Sequence, residues 1–413
     1  MSDFSNDGKG QELLHTPGGV RDIYGLECAR KRTAERKVQE VMKSYGFRDI
    51  QTPTFEYFDI FSKERGTVQS KEMFKFFDRG NNTLVLRPDM TPSLARCVAK
   101  YYKEEEMPMR LCYTGQTFVN TDKYQGKLQE VTQVGAELYH DDTSDADAEM
   151  IAMMTTCLLA CGLEEFQLEV GHANLFRGLI EEAGFEEEEE EELRKLIVSK
   201  NFFGVEEMLE ELTVTEPLKE IFIKLPELLG DLKESSAFVR ERTKNEKVLD
   251  ALDRLLKVEE ILKIYGLLEY VTIDLSMLSG YSYYTGVIFR AYTYGNGEAL
   301  ATGGRYNELV GQFGVDMPAI GLVIVIDQLM TAMSRQKLFK EEKLGGTILL
   351  YPQEYRRQAI LFAEEHRKKG KTIRLLRTSS KKTIDDYKEY ARRMGAELLL
   401  YFAKGDEPEE IMI

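Results

Sequence analysis

Apolar residues recur along the chain at spacings that predict its helices. After a polar, Gly-containing start, TPGGVRDI indicates a turn, and Val38, Val41, Met42 and Tyr45 then follow at three- and four-residue steps. This is the periodicity of one face of an α-helix, and Gly46 is expected to close that helix. The next segment, FRDIQTPTFEYFDIF, is predicted to be extended, with a proline that fits the edge of a sheet or a bulge.

Two segments in which apolar and polar residues alternate predict an antiparallel hairpin over residues 110–139, namely RLCYTGQTF and LQEVTQVGAELY. Three polar residues of the second strand, Gln129, Gln133 and Glu137, lie four positions apart, so they are expected to line one face of that strand. Because polar side chains on a central strand need partners or a ligand, this face is a candidate site.

Other regions follow different patterns. From about 175 to 265 the chain is charged and helical, and its glutamate run at 186–192 suits a helix start, where it favours the dipole and stays solvated; an acidic docking tail is the alternative. Strands resume at YVTIDLSM and continue to PAIGLVIVIDQLMTAM, with GNGE better explained as a hairpin turn than as a phosphate-binding loop. From residue 345 a β-α-β-α-β order predicts a small domain with a parallel sheet.

Together these elements predict an α+β fold, with an antiparallel sheet flanked by helices, a helical insertion and a small C-terminal α/β domain. The predicted boundaries are 1–335 for the core, 175–265 for the insertion within it, and 345–413 for the C-terminal domain.

Composition narrows the class of protein. The chain has 413 residues, 43% of them hydrophobic, which is enough for a large core in two or three domains. A net charge of -16 repels polyanions and argues mildly against a tRNA or DNA partner. Scattered cysteines, a start unlike a signal peptide and no apolar run of roughly 20 residues predict a cytoplasmic protein without a membrane role.

Cysteine and histidine positions do not predict a metal site. Cys157 and Cys161 lie four apart in CLLAC with no further cysteine pair or histidine nearby, so core packing is favoured over zinc. The histidines have no metal or triad spacing and are each expected to be surface or satisfied core residues; they are His15, His140, His172 and His366. No metal and no cofactor is therefore predicted.

In this order, the segments resemble the class II aminoacyl-tRNA synthetase fold and, within it, histidyl-tRNA synthetase, over almost the whole chain. GFRDIQTPTFE is similar to the dimer-forming first motif, RLCYTGQTF through LQEVTQVGAE to the second, and PAIGLVIVIDQL to the third. LSGYSYYTGVIF and GGRYNELV are similar to the two histidine-specific segments. The resemblance implies a homodimer, in which the apolar residues and Pro53 of the first motif suit an isologous interface.

Three positions depart from the synthetase pattern. The resemblance implies one arginine on the α-phosphate and amino-acid carboxylate, one on the γ-phosphate and one that stabilises the reacting phosphate. Val119, Gln328 and Ser279 stand at these positions instead. Because each such charge is typically worth about two to three orders of magnitude in rate, adenylate formation is expected to be effectively absent, and the chain is expected not to be an enzyme.

The amino-acid side of the same pocket matches the synthetase. The resemblance implies a histidine-binding site of carboxylates for the α-ammonium and an imidazole N–H, with amide and phenol groups for the rest. The residues that match are Asp89, Thr91, Gln133, Glu137, Tyr283, Tyr284 and Tyr306. The alternative is a buried polar network that binds no ligand.

A chain with this combination closely resembles the regulatory subunit of ATP phosphoribosyltransferase. LRPDMTPSLAR and GYSYYTGVIF are similar to that family, whereas the synthetase carries glutamate in place of Asp89. The resemblance implies a hetero-oligomer with the short-form catalytic subunit, which joins ATP to phosphoribosyl pyrophosphate at the first step of histidine biosynthesis. It further implies activation of that subunit, and L-histidine as an effector that inhibits it.

The C-terminal domain resembles the anticodon-binding domain of the synthetase but stops short of its last elements. Its cations are interleaved with acids, a pattern that favours solvated helix faces over an RNA-binding stripe, so no tRNA partner is expected. Two other functions stay open at this point: a catalytically active histidyl-tRNA synthetase, and an orphan paralogue that binds another amino acid or a nucleic acid.

Overall fold

The computed structural model describes residues 14–62, 68–121, 127–278, 283–339, 345–403 and 407–413. The chain separates into two compact units. The first comprises the residues through Asp22 together with Lys31–Leu338, and the second comprises Ile23–Arg30 with Phe339–Ile413. The main boundary lies between the predicted limits of 335 and 345, and the assignment of these units as domains stays a prediction.

The strands are named in chain order. They are β1 (Arg48–Asp49), β2 (Phe55–Tyr57), β3 (Lys75–Phe77), β4 (Thr83–Leu86), β5 (Met109–Phe118), β6 (Glu130–Tyr139), β7 (Gln167–His172), β8 (Val271–Ile273), β9 (Val287–Tyr292), β10 (Ala301–Arg305), β11 (Ala319–Val325), β12 (Thr347–Tyr351), β13 (Ile373–Arg377), β14 (Leu398–Tyr401) and β15 (Glu409–Ile411).

The α-helices are named in the same way. They are α1 (Gly25–Ser44), α2 (Thr91–Tyr101), α3 (Ser144–Ala160), α4 (Ala173–Ala183), α5 (Glu187–Val198), α6 (Phe202–Glu211), α7 (Glu216–Lys224), α8 (Leu232–Arg240), α9 (Glu246–Tyr265), α10 (Ile326–Arg335), α11 (Arg356–Lys368) and α12 (Ile384–Arg393).

An eight-stranded sheet in the order β1-β5-β6-β11-β10-β9-β7-β8 forms the centre of the first unit. The pairs from β5 through β7 are antiparallel, and the pairs at the two edges are parallel. Strands β5 and β6 form the predicted hairpin, with Arg110 opposite Leu138 and Phe118 opposite Glu130. This confirms the predicted antiparallel sheet, which helices of the same unit flank.

The apolar face of α1 packs inside the chain. Val38 and Met42 are fully buried, and the sulfur of Cys157 on α3 lies 3.8 Å from the Val38 carbonyl oxygen. The helix ends at Ser44, and Gly46, the residue predicted to close it, follows two positions later with a φ of 85°. Val38 and Met42 therefore belong to the core of this chain, and the predicted homodimer stays a prediction.

A smaller antiparallel sheet of β2, β4 and β3 belongs to the same unit. One face of it carries three exposed aromatic side chains, which we call the aromatic patch. They are Phe55, Tyr57 and Phe76, exposed by 51%, 55% and 37%. The rings of Phe55 and Phe76 meet edge to face, with centroids 5.8 Å apart.

Six helices, α4 to α9, lie between β7 and β8 and form the insertion. The glutamate run starts α5 as predicted: Glu186 is the N-cap, and its backbone N–H donates to the side chain of Glu189 in a capping box. Carboxylates in a first helical turn interact favourably with the helix dipole. Leu193, Val205 and Leu252 are among the buried residues of the insertion.

The second unit contains a four-stranded sheet in the order β13-β12-β14-β15. The three predicted strands pair in parallel as expected, and a fourth strand that the sequence did not predict, β15, pairs antiparallel with β14 at the edge. The sequence Glu409–Ile411 has little strand pattern of its own, and its strand conformation follows from hydrogen bonding to β14. In the described part of the chain, no helix is both long and apolar enough to cross a membrane.

Candidate functional site

Two glycines without side chains lie beside Glu137 on the next two strands of the sheet. Glu137 on β6 lies directly opposite Gly321 on β11, which in turn lies opposite Gly304 on β10. A Cβ built on Gly321 would overlap Oε2 of Glu137, and a Cβ on Gly304 would lie 2.8 Å from the ring of Tyr284. The two glycines therefore make room for a carboxylate and an aromatic ring on one face of the sheet.

Glu137 is the centre of a buried hydrogen-bond cluster. The hydroxyl of Thr91, at the start of α2, donates to Oε1 over 3.0 Å. The hydroxyl of Tyr306, just after β10, donates to Oε2 over 2.5 Å and lies 3.5 Å from the hydroxyl of Tyr139. Glu137 is only 1% exposed, so both carboxylate oxygens are held by donors from separate segments of the chain.

Burial changes the protonation of this carboxyl group. It raises the pKa of Glu137 to about 8, against the hydrogen bonds from Tyr306 and Thr91, which lower it. Burial also raises the pKa of Tyr306 well above its ordinary value, so that phenol stays a donor. At neutral pH the pocket therefore holds a largely protonated acid, which a cation placed beside it would convert to the carboxylate.

Aromatic rings form one wall of the pocket. The rings of Tyr283 and Tyr284 have centroids 4.9 Å apart, and those of Tyr283 and Tyr306 lie 5.9 Å apart. The hydroxyl of Tyr283 donates to Oδ2 of Asp89 over 3.4 Å, and Oδ1 of Asp89 accepts from the backbone N–H of Thr91 over 3.3 Å. The structure thus brings together six of the seven residues expected from the sequence, all except Gln133.

Gln133 lies on the same face of β6 as Glu137 but four residues away, about 13 Å along the strand. Its Oε1 is buried and accepts no hydrogen bond from the residues that the structure describes. Gln129 precedes β6, and its amide donates to the Thr121 carbonyl oxygen over 3.0 Å. The expectation that Gln129 lines the strand face with the other two polar residues is therefore wrong.

Two tyrosines of the hairpin belong to the pocket although the sequence did not single them out. Tyr113 on β5 lies directly opposite Gly135, and a Cβ on that glycine would overlap its hydroxyl. Burial raises the pKa of Tyr113 well above its ordinary value, and the nearby carboxyl groups of Glu137 and Asp89 raise it further. Tyr139 is two residues beyond Glu137 on the same strand face. The strand alternation was the available signal, but a large aromatic residue at such a position is usually core.

The expected phosphate-binding positions hold neutral side chains. The backbone N–H of Val119 donates to the Gln129 carbonyl oxygen over 2.9 Å and continues the hairpin. Gln328 accepts from the amide of Asn296 over 3.2 Å and donates to Glu298 over 2.7 Å. Where the third motif implies a cation, the chain therefore has an amide hydrogen-bonded to a carboxylate. Ser279 lies outside the described residues.

A buried arginine near the pocket has a structural role. Nε of Arg87 donates to the Gln116 carbonyl oxygen over 2.8 Å, and Nη1 donates to the carbonyl oxygens of Thr52 and Pro53 over 3.0 and 3.1 Å. These bonds tie the end of β4 to β5 and to the segment before β2. Burial lowers the pKa of this guanidinium without discharging it at neutral pH.

Within the described ranges, no three histidine, cysteine or acidic side chains are grouped so that they could hold a metal ion. Cys157 and Cys161 are buried against α1, with the sulfur of Cys161 4.0 Å from the Ala34 carbonyl oxygen. His172 accepts from the backbone N–H of Asn174. His140 is partly exposed and has a φ of 62°, and its buried Nε2 has no hydrogen-bond partner among the described residues.

Comparison with known proteins agrees with this geometry. The family model of histidyl-tRNA synthetase matches residues 19–329. A histidyl-tRNA synthetase from Nostoc sp. PCC 7120 covers 94% of this chain and 91% of its own with a TM-score of 0.79, at 18% identity, which shows the shared fold. The class of protein is therefore histidyl-tRNA synthetase-like, and the predicted class II fold is confirmed.

Sequence relatives define the family more closely. An ATP phosphoribosyltransferase regulatory subunit from Acetivibrio thermocellus is 39% identical over 87% of this chain and 86% of its own. Another such subunit, from Ruminiclostridium cellulolyticum, is 37% identical over 95% of this chain and 93% of its own. A Bacillus halodurans C structure described as an ATP phosphoribosyltransferase regulatory subunit/histidyl-tRNA synthetase has a TM-score of 0.84 at 31% identity, over 94% of this chain and 98% of that one. The chain belongs to the family of ATP phosphoribosyltransferase regulatory subunits.

Proposed function

We propose that this chain activates a short-form ATP phosphoribosyltransferase catalytic subunit and makes its activity sensitive to L-histidine. The observation that carries the proposal is an amino-acid pocket centred on Glu137 beside phosphate-binding positions that hold Val119 and Gln328. Such a site can bind an amino acid but lacks the charges that would stabilise a transferring phosphoryl group. The names of the relatives support the regulatory role.

In the proposed complex with L-histidine, Glu137 and Asp89 hold the cationic groups, and the rings of Tyr283, Tyr284 and Tyr306 enclose the imidazole. The buried Oε1 of Gln133 supports this arrangement, because a buried acceptor without a partner is costly and a ligand donor would satisfy it.

We also propose that the chain is a homodimer. Three exposed aromatic residues form the aromatic patch on one face of a small sheet, and exposed apolar clusters of this kind mark interaction surfaces. A patch that contacts its own copy produces a closed twofold dimer. The net charge of -16 supports the absence of a tRNA partner.

The rival function, a working histidyl-tRNA synthetase, is tested by histidine-dependent exchange of pyrophosphate into ATP. We expect no exchange above background, with a known histidyl-tRNA synthetase as the positive control. On the same preparation, calorimetric titration is expected to detect L-histidine binding. Exchange within a hundredfold of ordinary synthetase turnover, on the order of 1 to 100 per second, would overturn the proposal.

A further inference from the structure

A cluster of three charges lies on the opposite face of the sheet from the pocket, with Asp147 and Arg305 buried and Arg254 partly exposed. Asp147 on α3 is fully buried and accepts from Nε of Arg254 over 2.5 Å. It also accepts from Nε of Arg305 over 2.8 Å, and Nη2 of Arg305 lies 2.7 Å from the same carboxylate. Because a buried charge without its partners is strongly destabilising, these three side chains hold one another in a single arrangement.

The two arginines also fix the loop between β6 and α3. Nη1 of Arg254 donates to the Asp142 carbonyl oxygen over 3.1 Å, and Nη1 of Arg305 donates to the Asp141 carbonyl oxygen over 2.8 Å. This loop follows directly after β6, which carries Glu137 and Tyr139. Tyr306 directly follows β10, whose last residue is Arg305. Strands β6 and β10 are therefore both anchored, at their ends, to the same pair of guanidinium groups.

Arg305 connects this cluster to the pocket through its neighbour in sequence. It is the last residue of β10, and successive side chains of a strand point to opposite faces of the sheet. Arg305 therefore points to Asp147 while Tyr306 donates to Glu137 on the other face. The aliphatic part of the Arg305 side chain packs closely against Gly286. A Cβ built on Gly286 would lie 2.9 Å from the Cβ and Cδ atoms of Arg305. The position of the guanidinium thus fixes the backbone from which the Tyr306 hydroxyl projects.

Arg254 lies on α9, in the insertion, so the cluster joins the insertion to the core. The insertion leaves the core at His172, and burial together with the charges of Arg254 and Arg305 lowers the pKa of that histidine to about 3. His172 is therefore neutral and does not compete with the arginines for Asp147.

We propose that Arg254, acting through Asp147 and Arg305, is a positioning residue that aligns the Tyr306 hydroxyl on Glu137, so that the helical insertion sets the affinity of the pocket for histidine. The inference rests on the proposed function, because it names the regulation of the same pocket. A displacement of α9 would reach the pocket as a displaced Tyr306, and the pocket would in turn bias the position of the insertion, as linkage requires.

The test uses the full chain and calorimetric titration with L-histidine. Arg254→Met is expected to weaken histidine binding about tenfold, within the usual range of coupling between sites. The matched control is Arg240→Met, because Arg240 forms an ion pair with the exposed Asp253 entirely within the insertion, with a separation of 2.6 Å. The control is expected to bind histidine within twofold of the unaltered chain, since exposed ion pairs contribute little.

A double-mutant cycle separates positioning from general loss of structure. If Arg254 acts through Tyr306, then adding Arg254→Met to Tyr306→Phe is expected to cause no further loss of histidine affinity. Additive losses would overturn the inference, as would an Arg254→Met chain that binds histidine normally. If Arg254→Met does not fold, as judged by its melting temperature, the same cycle is run with Arg254→Lys, which keeps the positive charge near Asp147.

The results also distinguish this inference from the proposed function. A well-folded Tyr306→Phe chain with unchanged histidine affinity, or an unaltered chain that binds no histidine, contradicts the pocket itself and overturns both. Weakened binding in Tyr306→Phe together with normal binding in Arg254→Met leaves the pocket assignment standing and overturns only the role of the insertion.

Discussion

Glu137 is an acid whose charge state depends on what occupies the pocket. Without a ligand its pKa is about 8, because burial outweighs the two hydroxyl donors. The α-ammonium group of bound L-histidine, which is already charged in the free amino acid at pH 7, favours the carboxylate and lowers that pKa. At a pH between the pKa of Glu137 in the occupied pocket and its pKa in the empty pocket, Glu137 is protonated before binding and ionised after it. Histidine binding must therefore release a proton.

The first prediction is therefore a proton release on histidine binding at pH 7. Titration calorimetry in two buffers with different ionisation enthalpies is expected to show a difference in binding enthalpy for the unaltered chain. Glu137→Gln, which keeps the shape but cannot ionise, is expected to bind more weakly and to show no buffer dependence from this group. Equal enthalpies in both buffers for the unaltered chain would contradict the assignment of Glu137 to the ligand.

Gly321 is predicted to be required for the position of the Glu137 carboxylate. A methyl group at this position would overlap Oε2, so Gly321→Ala is expected to displace the carboxylate from Tyr306 and to lower histidine affinity by tenfold or more. Overpacking of the buried site is expected to cost about 1 to 3 kcal/mol of stability. Gly297→Ala, with open space at the Cβ position, is the control and should bind histidine normally. Normal binding by a folded Gly321→Ala chain would refute the geometry.

Elements with a regular pattern were predictable from the sequence, whereas elements fixed by a neighbour were not. The hairpin over residues 110–139 and the helix that ends near Gly46 follow from periods of two and of three to four residues. Strand β15 has no such pattern and exists because β14 offers it hydrogen bonds. One face of α1 was correctly predicted as apolar. The spacing of its apolar residues does not tell whether that face packs against the same chain or against a second copy.

The candidate site shows the same division. Its residues come from four separate segments of the chain, and only the resemblance to a known family brought them together before the structure. Tyr113 could not be singled out because its role depends on Gly135 across the strand pair, a register that alternation alone does not fix. The charge cluster around Asp147 was not predictable either, since it joins α3, α9 and β10 across more than a hundred residues of sequence.

Helix α10 depends on an acid in its first turn. Asp327 accepts from the backbone N–H of Thr132 on β6 over 2.7 Å and from Nζ of Lys31 on α1 over 2.8 Å. Removing one partner of a largely buried ion pair leaves the other unpaired, so Asp327→Ala is predicted to destabilise the chain by about 3 kcal/mol.

Chemical denaturation followed by circular dichroism measures this effect. Asp385→Ala is the control, because Asp385 is exposed and its contact with Lys388 spans 3.8 Å. A loss below about 1 kcal/mol for the control is expected. Equal stability of the two variants would show that the Asp327 contacts do not hold α10 in place.

The mass of the whole protein tests the proposed dimer. Light scattering is expected to give twice the chain mass of 47.5 kDa before any partner is added. Tyr57→Asp, in the aromatic patch, is predicted to shift the protein towards monomer, because a buried unpaired charge opposes association. Tyr294→Asp is the control, since Tyr294 is 88% exposed and lies outside the patch. A monomer in the unaltered chain, or a dimer in Tyr57→Asp, would contradict the proposed interface.

The central claim is that this chain regulates a catalytic subunit rather than catalysing a reaction itself. The most direct measurement adds the purified chain in increasing amounts to a short-form ATP phosphoribosyltransferase catalytic subunit and follows the condensation of ATP with phosphoribosyl pyrophosphate. The account predicts that activity rises to a plateau at a fixed ratio of subunits and that L-histidine then lowers it. A catalytic subunit whose rate is the same with and without this chain, at every ratio tested, would contradict the claim.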